Sequence, residues 1–377
     1  MPKAPTYPLP RACWHLAISA TNCQSVSFNT CQFWNSGGYG LVLSGSSNVV
    51  EACDFRQLGQ GGVSTWGGNR STLTPSGTLI ENCQFQSFGR LFWTYQPAIQ
   101  ILQDNDYNPL CMGITVQHNE IHSGPHDAII YSGSSHTIQY NKIYDVDQFT
   151  SDAGAIYTSG CEWGTQGNQI KNNLIFNCGG PLGGFISGIY IDGGGSGVDI
   201  EGNILYKSGQ LCGIQHNGGR DVQTRYNISY GHWYGIDISN VIFSINNNSS
   251  GSQTNFLQKL QYYNYQSAPW STAYPNLAVI PNTYAQLPGS HWLEPENSVC
   301  YGNLQFGGST DAYRQTSNYA PSMGAITTFF TQVGSNISQN PLFTNPANLD
   351  FSLQSGSPMF AIPGFPGINT ALIGIQK

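Results

Sequence analysis

The fold of this chain is decided by residues 119–143, which read NEIHSGPHDAIIYSGSSHTIQYNKI. The stretch opens on the triplet Asn119-Glu-Ile121 and continues through Ala128-Ile129. After 22 residues it returns to the same kind of triplet at Asn141-Lys-Ile143. A return distance of this length is too long for a β-hairpin and is typical of a structural repeat. The stretch therefore represents one unit of a repeating architecture.

Two short signatures alternate along the chain. The first is Cys or Asn, any residue, then Phe, Ile or Leu; it begins at Cys31, Cys53, Cys83, Asn119, Asn141, Asn173, Asn203 and, more weakly, Asn227. The second is Gly or Ala before a branched apolar residue; it begins at Gly40, Gly62, Ala98, Ala128, Ala155, Gly188, Gly213 and Gly235. The second follows the first by 8 to 15 residues each time, which indicates coils of about 22 to 36 residues.

This repeat predicts an all-β chain folded as a single-stranded, right-handed parallel β-helix, a solenoid of the pectin-lyase-like class. Each coil contains three short strands, and their inward Ile or Val side chains are buried only when coils stack. Asn recurring at one bend predicts a ladder of side-chain amides. The alternative is a β-sandwich, which would place hairpin turns every 8 to 12 residues or so, whereas Gly-Ile recurs here at whole-coil spacing.

The repeat also divides the chain into parts. Residues 1–250 carry the coils, and we expect the first coil to be truncated because the sequence already resembles a β-helix soon after its start. Residues 251–295 leave the pattern and predict a flanking excursion or lid, with a short helix between Leu257 and Tyr265. Residues 296–377 predict the last coils and a C-terminal cap of the same domain, including a final strand pair near Phe343 and Leu353.

The composition narrows the function. Only 9% of the residues are charged, the formal net charge is -7, and no basic run occurs, so a nucleic-acid partner is not expected. No apolar stretch reaches the length of about 18 residues that a membrane span needs, so no membrane partner is expected. The ten Cys residues include no Cys-x-x-Cys pair, so neither a metal nor another cofactor is predicted. We expect a monomer.

One strand of each coil presents a candidate binding face. Because neighbouring residues in a strand point to opposite faces, the residue after each inward Ile faces outward, and we expect the Gly or Ala before it to face outward too. The first outward row reads Gln100, Ile130, Tyr157, Tyr190, Gln215 and Asp237; the second reads Ser132, Ser159, Asp192, Asn217 and Ser239. Aromatic rings beside amides and carboxylates predict a groove that binds a polysaccharide or oligosaccharide. The alternative is an ordinary solvated face.

Carboxylates matter most for chemistry on sugars, because glycoside hydrolysis uses two of them. The candidates near this strand are Asp127, Asp152, Glu162, Asp192, Asp221 and Asp237. Asp152 precedes one strand and Asp192 follows the next. In fully extended chain they would be ~23 Å apart, so a productive pair requires a sharp bend at Ala153-Gly154 or near Asp192. Without that bend, Asp192 and Asp237 are the better pair, at ~10 Å across two coils.

Several motifs resemble the β-helix proteins of glycoside hydrolase family 141. They are His118-Asn-Glu-Ile-His122-Ser-Gly-Pro125-His126, Ser151-Asp152-Ala-Gly-Ala-Ile-Tyr157-Thr158, Gly188-Ile-Tyr190-Ile-Asp192-Gly193, His216-Asn-Gly-Gly-Arg220-Asp221, Ala268-Pro269-Trp270 with Tyr274-Pro275, and Asn340-Pro-Leu-Phe343. The resemblance covers the chain from about residue 110 to its end. It implies a secreted, extracellular glycoside hydrolase acting on a plant- or algal-type polysaccharide, with its signal peptide absent from this sequence.

The resemblance also implies roles for individual residues. It assigns Asp152 and Asp192 as the catalytic acids. The substrate-binding residues expected beside them are His126, Tyr157, Glu162, Trp163, Tyr190, His216, Arg220 and Asp237. The chain departs from the family where relatives continue with Gly-Arg-Asp-Trp: here Cys161 stands in place of that Arg, and Gln166 in place of a later one. Those losses leave a polysaccharide lyase, or a non-catalytic glycan-binding or structural β-helix, as alternatives.

Overall fold

The computed structural model describes residues 16–101, 110–158, 162–181, 184–239, 256–287, 291–308, 313–316 and 326–376. Thirty strands of this part of the chain form three parallel sheets of ten, and each strand pairs with the strand three places further along. This is the connectivity of a solenoid with three strands per coil, which confirms the predicted parallel β-helix. We number the strands β1 to β32 in chain order and name the three sheets A, B and C.

Sheet A carries the Gly/Ala-Ile signature, and sheet C carries the Cys/Asn-x-Ile signature. Sheet A consists of β1 (Ile18–Gln24), β4 (Leu41–Ser46), β7 (Val63–Trp66), β10 (Ile99–Ile101), β13 (Ile129–Tyr131), β16 (Ala153–Thr158), β19 (Ile186–Ile191), β22 (Cys212–Asn217), β25 (Tyr234–Ser239) and β28 (Tyr313–Thr316). Sheet B consists of β2 (Ser27–Asn29), β5 (Val49–Glu51), β8 (Leu79–Glu81), β11 (Thr115–Gln117), β14 (Thr137–Gln139), β17 (Asn168–Lys171), β20 (Val198–Glu201), β23 (Gln223–Arg225), β26 (Ser298–Tyr301) and β29 (Phe330–Gly334). Sheet C consists of β3 (Gln32–Trp34), β6 (Asp54–Arg56), β9 (Gln84–Gln86), β12 (Glu120–His122), β15 (Lys142–Tyr144), β18 (Leu174–Cys178), β21 (Ile204–Ser208), β24 (Ile228–Tyr230), β27 (Leu304–Phe306) and β30 (Ile337–Ser338).

The core runs along the inside of the solenoid. In sheet A the branched residues Ile99, Ile129, Ile156 and Ile189 lie in register in successive coils, and all four are fully buried. None of these side chains would be buried by its own coil, so stacking creates the core. In sheet C aromatic rings replace Ile in the first coils, where Phe55 stacks on Phe85 with 4.7 Å between ring centroids.

The small residue before each inward Ile does not face outward, so that expectation was wrong. Ala98 and Ala128 are fully buried members of the core. At Gly62 a Cβ atom would lie 2.5 Å from Cδ1 of Phe85, which points into the same space from sheet C. The chain turns the corner from sheet C to sheet A at this position, and the simple alternation of a strand does not apply there. The residue must be small because the sheet C side chain fills the corner.

The bend before sheet C carries the predicted amide ladder. The side chains of Asn119, Asn141, Asn173, Asn203, Asn227, Asn303 and Asn336 form a continuous series in which each Nδ2 donates to the Oδ1 of the next. The donor–acceptor distances are 2.9 to 3.0 Å. Cys53 and Cys83 occupy the same position in earlier coils, and the backbone N–H of Cys83 donates to Asn119. The eight Cys in the described residues carry free thiols.

The segment between β25 and β26 forms a helical flank. It contains α1 (Phe256–Tyr262), α2 (Trp270–Ala273) and α3 (Pro275–Ala278), with 3-10 turns at Tyr284–Gln286 and His291–Leu293. The expected short helix is therefore present as α1. The flank packs on turns that follow sheet A, where Trp163 lies among its aromatic residues and the indole N–H of Trp270 donates to the Arg70 carbonyl.

The C-terminal segment lies against the outer side of the solenoid. It contains the antiparallel pair β31 (Phe343–Asn345) and β32 (Asp350–Leu353). Its 3-10 turns are Pro346–Asn348, Pro358–Ala361 and Thr370–Leu372, and a further 3-10 turn, Ile326–Phe329, precedes β29. Phe343 and Phe351 cover the outer face of sheet C. Further on, the backbone N–H of Gln376 donates to Asn82, so the segment runs back to an early coil. No helix in the described part of the chain has the length and apolar character to cross a membrane.

Candidate functional site

The candidate site lies on the outer face of sheet A, between two rows of turns. The turns that enter sheet A from sheet C form one side, and the turns that leave sheet A, with the helical flank packed on them, form the other. On the floor between them, Ile130, Tyr157 and Tyr190 occupy the same position in three successive coils and contact one another. Gly154 makes room for this arrangement, because a Cβ atom there would lie 2.7 Å from Cβ of Tyr190.

Asp192 is held at the end of β19 by three hydrogen-bond donors. The Tyr157 hydroxyl donates to Oδ2, the Asn217 side-chain amide donates to Oδ1 at 2.6 Å, and the backbone N–H of Gly193 donates to Oδ1 at 2.7 Å. Gly193 adopts a φ of 57°, in the left-handed region, and the chain leaves the strand there. Asp192 is therefore fixed as a hydrogen-bond acceptor, half-buried, with its carboxylate beside the two tyrosines.

Asp152 is brought to the same place by the bend that the sequence required. Its φ of 58° lies in the left-handed region, so the chain turns at Asp152 itself, one residue before the predicted bend, and β16 begins at Ala153. The hydroxyl of Tyr190 lies 3.5 Å from Oδ1 of Asp152 and accepts from the Asn217 side-chain amide at 3.3 Å, and the same amide donates to Oδ1 of Asp192 at 2.6 Å. These three consecutive contacts place the two carboxyl groups within about 10 Å of each other.

The environment acts on the ionisation of these groups in different ways. Partial burial, and then the negative charge of Asp192, raise the pKa of Asp152 above its ordinary value. Burial, followed by the charge of Asp192, raises the pKa of both Tyr157 and Tyr190. Both hydroxyls therefore remain protonated, and Tyr157 donates to Asp192 while Tyr190 donates to Asp152. The site holds one carboxyl group whose pKa is raised and one that is anchored as an acceptor.

Tyr95 is a site residue that sequence reasoning missed. It belongs to the enlarged turn before Ala98, has a φ of 53°, and is 48% exposed. Its ring packs against Tyr157 and against the imidazole of His126, at centroid distances of 6.2 and 4.9 Å. Burial and then the charge of Asp152 raise its pKa. The available signal was the aromatic content of that turn, which reads Phe92-Trp93-Thr94-Tyr95.

Other aromatic side chains are exposed along the same row of turns. Trp93 packs against Phe149 of the turn that carries Asp152, and both rings are more than half exposed. Phe185 and Trp233 lie in the corresponding turns of later coils and are 60% and 69% exposed. A surface pocket of about 780 Å³ opens beside these two residues. Exposed rings in a row offer stacking surfaces for the apolar faces of sugar rings.

His126 lies beneath the groove and does not line it. It is 2% exposed, and its Nδ1 contacts Oδ2 of Asp127. Oδ1 of Asp127 accepts the backbone N–H of Gly154 at 3.0 Å, which ties this turn to the strand that follows Asp152. Asp147, in the next turn, completes a group whose atoms are close enough to hold a metal ion. The predicted substrate-binding role of His126 is therefore not supported by its position.

Two predicted binding residues belong to the flank side and not to the groove. Glu162 forms a buried ion pair with Arg70, with 2.7 Å between Oε1 and Nη1. Trp163 is fully buried among the side chains of the flank. The positions of both residues do not support the predicted substrate-binding roles, because the turn that carries them folds against residues distant in sequence. Gln166 is also buried there and donates to the Trp163 carbonyl. Ser159 and Cys161 lie outside the described residues.

Two further predicted binding residues face inward. His216 is the second residue after the inward Ile214, so it also points into the core, where its Nε2 contacts the Thr224 hydroxyl at 2.9 Å. Arg220 is 1% exposed and is paired with Asp221 and Glu296. Both side chains are buried away from the outer face of sheet A, so their positions do not support the predicted substrate-binding roles.

Asp237 does lie in the outward row of sheet A, in register with Gln215, but it is only 3% exposed. Hydrogen bonds through the Tyr190 hydroxyl and the Asn217 amide join Asp152 to Asp192, so the geometry favours that pair over Asp192 with Asp237.

Comparisons with known proteins agree with this architecture. The family model described as a right-handed β-helix region matches residues 16–108 and 97–256. No curated protein matches the chain significantly. Among solved structures, a glycoside hydrolase is similar at 15% identity, with 59% of this chain and 36% of that chain covered and a TM-score of 0.35.

An alginate lyase of the PL6 family, AlyGC, is similar at 12% identity, with 81% of this chain and 37% of that chain covered and a TM-score of 0.38. The chain thus spans little more than a third of the length of each of these two structures. Likenesses this distant carry no argument about a reaction or a substrate.

Proposed function

We propose that this chain, which belongs to the family of right-handed β-helix regions, is a glycoside hydrolase that acts on a plant- or algal-type polysaccharide with Asp152 and Asp192. The observation that supports the proposal is the hydrogen-bonded chain from Asp152 through the Tyr190 hydroxyl and the Asn217 amide to Asp192. Carboxyl pairs of glycosidases are separated by ~5 to 10 Å, and this chain holds the two carboxyl groups within about 10 Å of each other. The resemblance of the surrounding motifs to glycoside hydrolase family 141 points to the same reaction.

The two carboxyl groups have different roles in this proposal. Asp152 is the general acid that protonates the leaving-group oxygen, since its raised pKa favours the protonated form more than in an ordinary Asp. Asp192 acts as base or nucleophile, since three donors hold its carboxyl oxygens as acceptors. Asn217 and Tyr157 are positioning residues that fix Asp192. Tyr95 and Trp93 provide stacking surface for sugars beside the pair.

The same contacts weigh against the two alternatives. A lyase needs a base, and burial and the charge of Asp192 raise the pKa of Tyr157 and Tyr190, so neither tyrosine is suited to that role. A purely structural or binding solenoid has no need of two carboxyl groups held this close to each other, because such a like-charge pair opposes its own ionisation.

The test is a panel of plant and algal glycans incubated with the wild type, Asp152→Asn and Asp192→Asn. Asp199→Asn is the matched control, since it removes an equal charge from sheet B, on another face of the solenoid. We expect new reducing ends with the wild type and the control, and a loss of at least about a hundredfold in both site variants. Products with unsaturated ends would identify a lyase. Full activity of both site variants would overturn the site assignment.

A further inference from the structure

A buried group of ligand-type side chains lies beneath the groove, outside the proposed catalytic pair. His126 and Asp127 lie in the turn that enters β13, and Asp147 lies in the turn that enters β16. Each offers one ligand atom, and these atoms all lie within 4.8 Å of one another. All three side chains are at least 98% buried. The backbone N–H of Asp147 donates to the His126 carbonyl at 3.2 Å, so the two turns are held together at this point.

Asp147 has no protein partner for its charge. Both of its carboxylate oxygens are buried, and neither accepts a hydrogen bond. An unpaired carboxylate in a protein interior is destabilised by several kcal/mol or so, and such groups normally bind a metal, pair with a cation or take up a proton. The ionisable groups around it are Asp127, the imidazole of His126, which is in contact with Asp127, and the Cys178 thiol of the next coil. None of these supplies a fixed positive charge.

We infer that His126, Asp127 and Asp147 bind a divalent transition-metal ion of the zinc class. One imidazole nitrogen and two carboxylates are a ligand set that Zn²⁺ accepts, whereas Ca²⁺ prefers six to eight oxygen ligands or so. Ligand atoms around a tetrahedral Zn²⁺ are ~3.4 Å apart, so the direct contact between His126 and Asp127 must open, and the more distant atoms must draw together, to receive the ion.

The proposed ion lies next to the turn that presents Asp152. Asp127 accepts the backbone N–H of Gly154, two residues after Asp152, while Asp147 lies five residues before Asp152. An ion bound by both would clamp the turn that presents Asp152 from its two ends. This metal site does not depend on the proposed hydrolase reaction, because its ligands lie below the groove and a binding solenoid could carry it equally well.

The experiment measures metal binding directly on the full chain. The protein is stripped with a chelator, incubated with a small excess of ZnCl₂ and desalted, and bound zinc is measured by elemental analysis beside the melting temperature. We expect one zinc per chain and a rise in Tm of at least about 3 °C in the wild type. Asp147→Asn and His126→Gln should lose both effects. Asp145→Asn, an exposed carboxylate two residues away, should keep both.

Two results would overturn the inference. The first is a wild type that retains no zinc and shows no change in Tm, with Asp147→Asn as stable or more stable. That result would mean that Asp147 holds a proton, as its raised pKa from burial allows. The second is equal zinc retention in wild type and both ligand variants, which would place the ion elsewhere. If the variants do not fold, Co²⁺ added to the wild type still decides the question, since a buried site with these ligands must give visible d–d absorption.

Discussion

The corner before sheet C and the outer face of sheet A are built from the same coils but behave in opposite ways. At the corner, every coil from Asn119 to Asn336 supplies the same residue, and every amide is paired with the next. On sheet A, the outward residue that follows the inward Ile differs from coil to coil: it is Ile130, then Tyr157, Tyr190, Gln215 and Asp237. A repeated Asn lets each coil pair its buried amide with that of a neighbouring coil, whereas a functional site needs different side chains from neighbouring coils. In this solenoid the candidate site therefore lies where the outward residues of sheet A do not repeat.

The largest expected effect separates the two carboxyl groups on sheet A. On natural glycans, Asp152→Asn and Asp192→Asn should each lose about a hundred- to ten-thousandfold in kcat. On an aryl glycoside with a good leaving group, which needs no proton, Asp152→Asn should retain most of its activity and Asp192→Asn should not. Steady-state kinetics on both substrates, with Asp199→Asn as control, provide the measurement. Equal losses of Asp152→Asn on both substrates would contradict its role as the acid.

The next effect concerns the pH dependence of the free energy of unfolding, to which two buried histidines contribute. Burial lowers the pKa of His216 and of His136 to about 4. The folded chain keeps both imidazoles neutral, whereas the unfolded chain protonates them below pH ~6.5. Stability is therefore complete above pH ~6.5 and falls as the pH drops towards about 4, by roughly 3 kcal/mol for each histidine.

Urea unfolding at a series of pH values measures this loss. His216→Gln retains an acceptor for the Thr224 hydroxyl and cannot be protonated, so its free energy of unfolding should depend less steeply on pH than that of the wild type. If the free energy of unfolding depends on pH equally steeply in the two proteins, His216 does not contribute to the pH dependence of stability.

A break in the amide ladder should destabilise the chain without changing the site. Asn173 accepts two hydrogen bonds from Asn141 and donates to Asn203 and to the Ile138 carbonyl. Asn173→Ala leaves these buried partners unsatisfied, so we expect a loss of about 2 to 3 kcal/mol in the free energy of unfolding. The activity of the folded fraction should be unchanged.

The matched control is Gln139→Ala. It removes an amide that pairs with Gln117 on the half-exposed outer face of sheet B. That variant should lose less than about 1 kcal/mol. Similar losses for the two variants in chemical denaturation would mean that burial does not strengthen the ladder.

The smallest effect concerns the exposed aromatic row beside sheet A. Trp233→Ala should raise the KM for long oligosaccharides by about fivefold, with kcat and Tm unchanged, because the ring offers only stacking surface. Trp34→Ala is the control, since Trp34 is also an exposed Trp but lies on sheet C. A KM that is unaffected in Trp233→Ala, or raised equally in both variants, would remove this row from the substrate path.

How much was predictable differs between the two regions. The amide ladder followed from the spacing of Asn, because each coil repeats one local solution. The pair of Asp152 and Asp192 was identified, but their contact depended on a left-handed turn at Asp152 that residue types alone do not specify. Glu162 and Arg70 are 92 residues apart, and no local pattern connects them. Tyr95 was missed for the same reason, since it reaches the site from an enlarged turn two coils earlier.

The sequence by itself determined the solenoid, its three-strand coil, its inward Ile ladder and its amide ladder. These features are periodic, and each coil faces the same requirement to bury apolar side chains and satisfy its backbone. Only the tertiary structure decided which outward side chains meet. Irregular turns brought Asp152 to the hydroxyl of Tyr190, moved Glu162 and Trp163 into the flank, and buried His126 beside Asp147. Turn conformation is non-periodic and depends on contacts across coils, so those outcomes are absent from the repeat pattern.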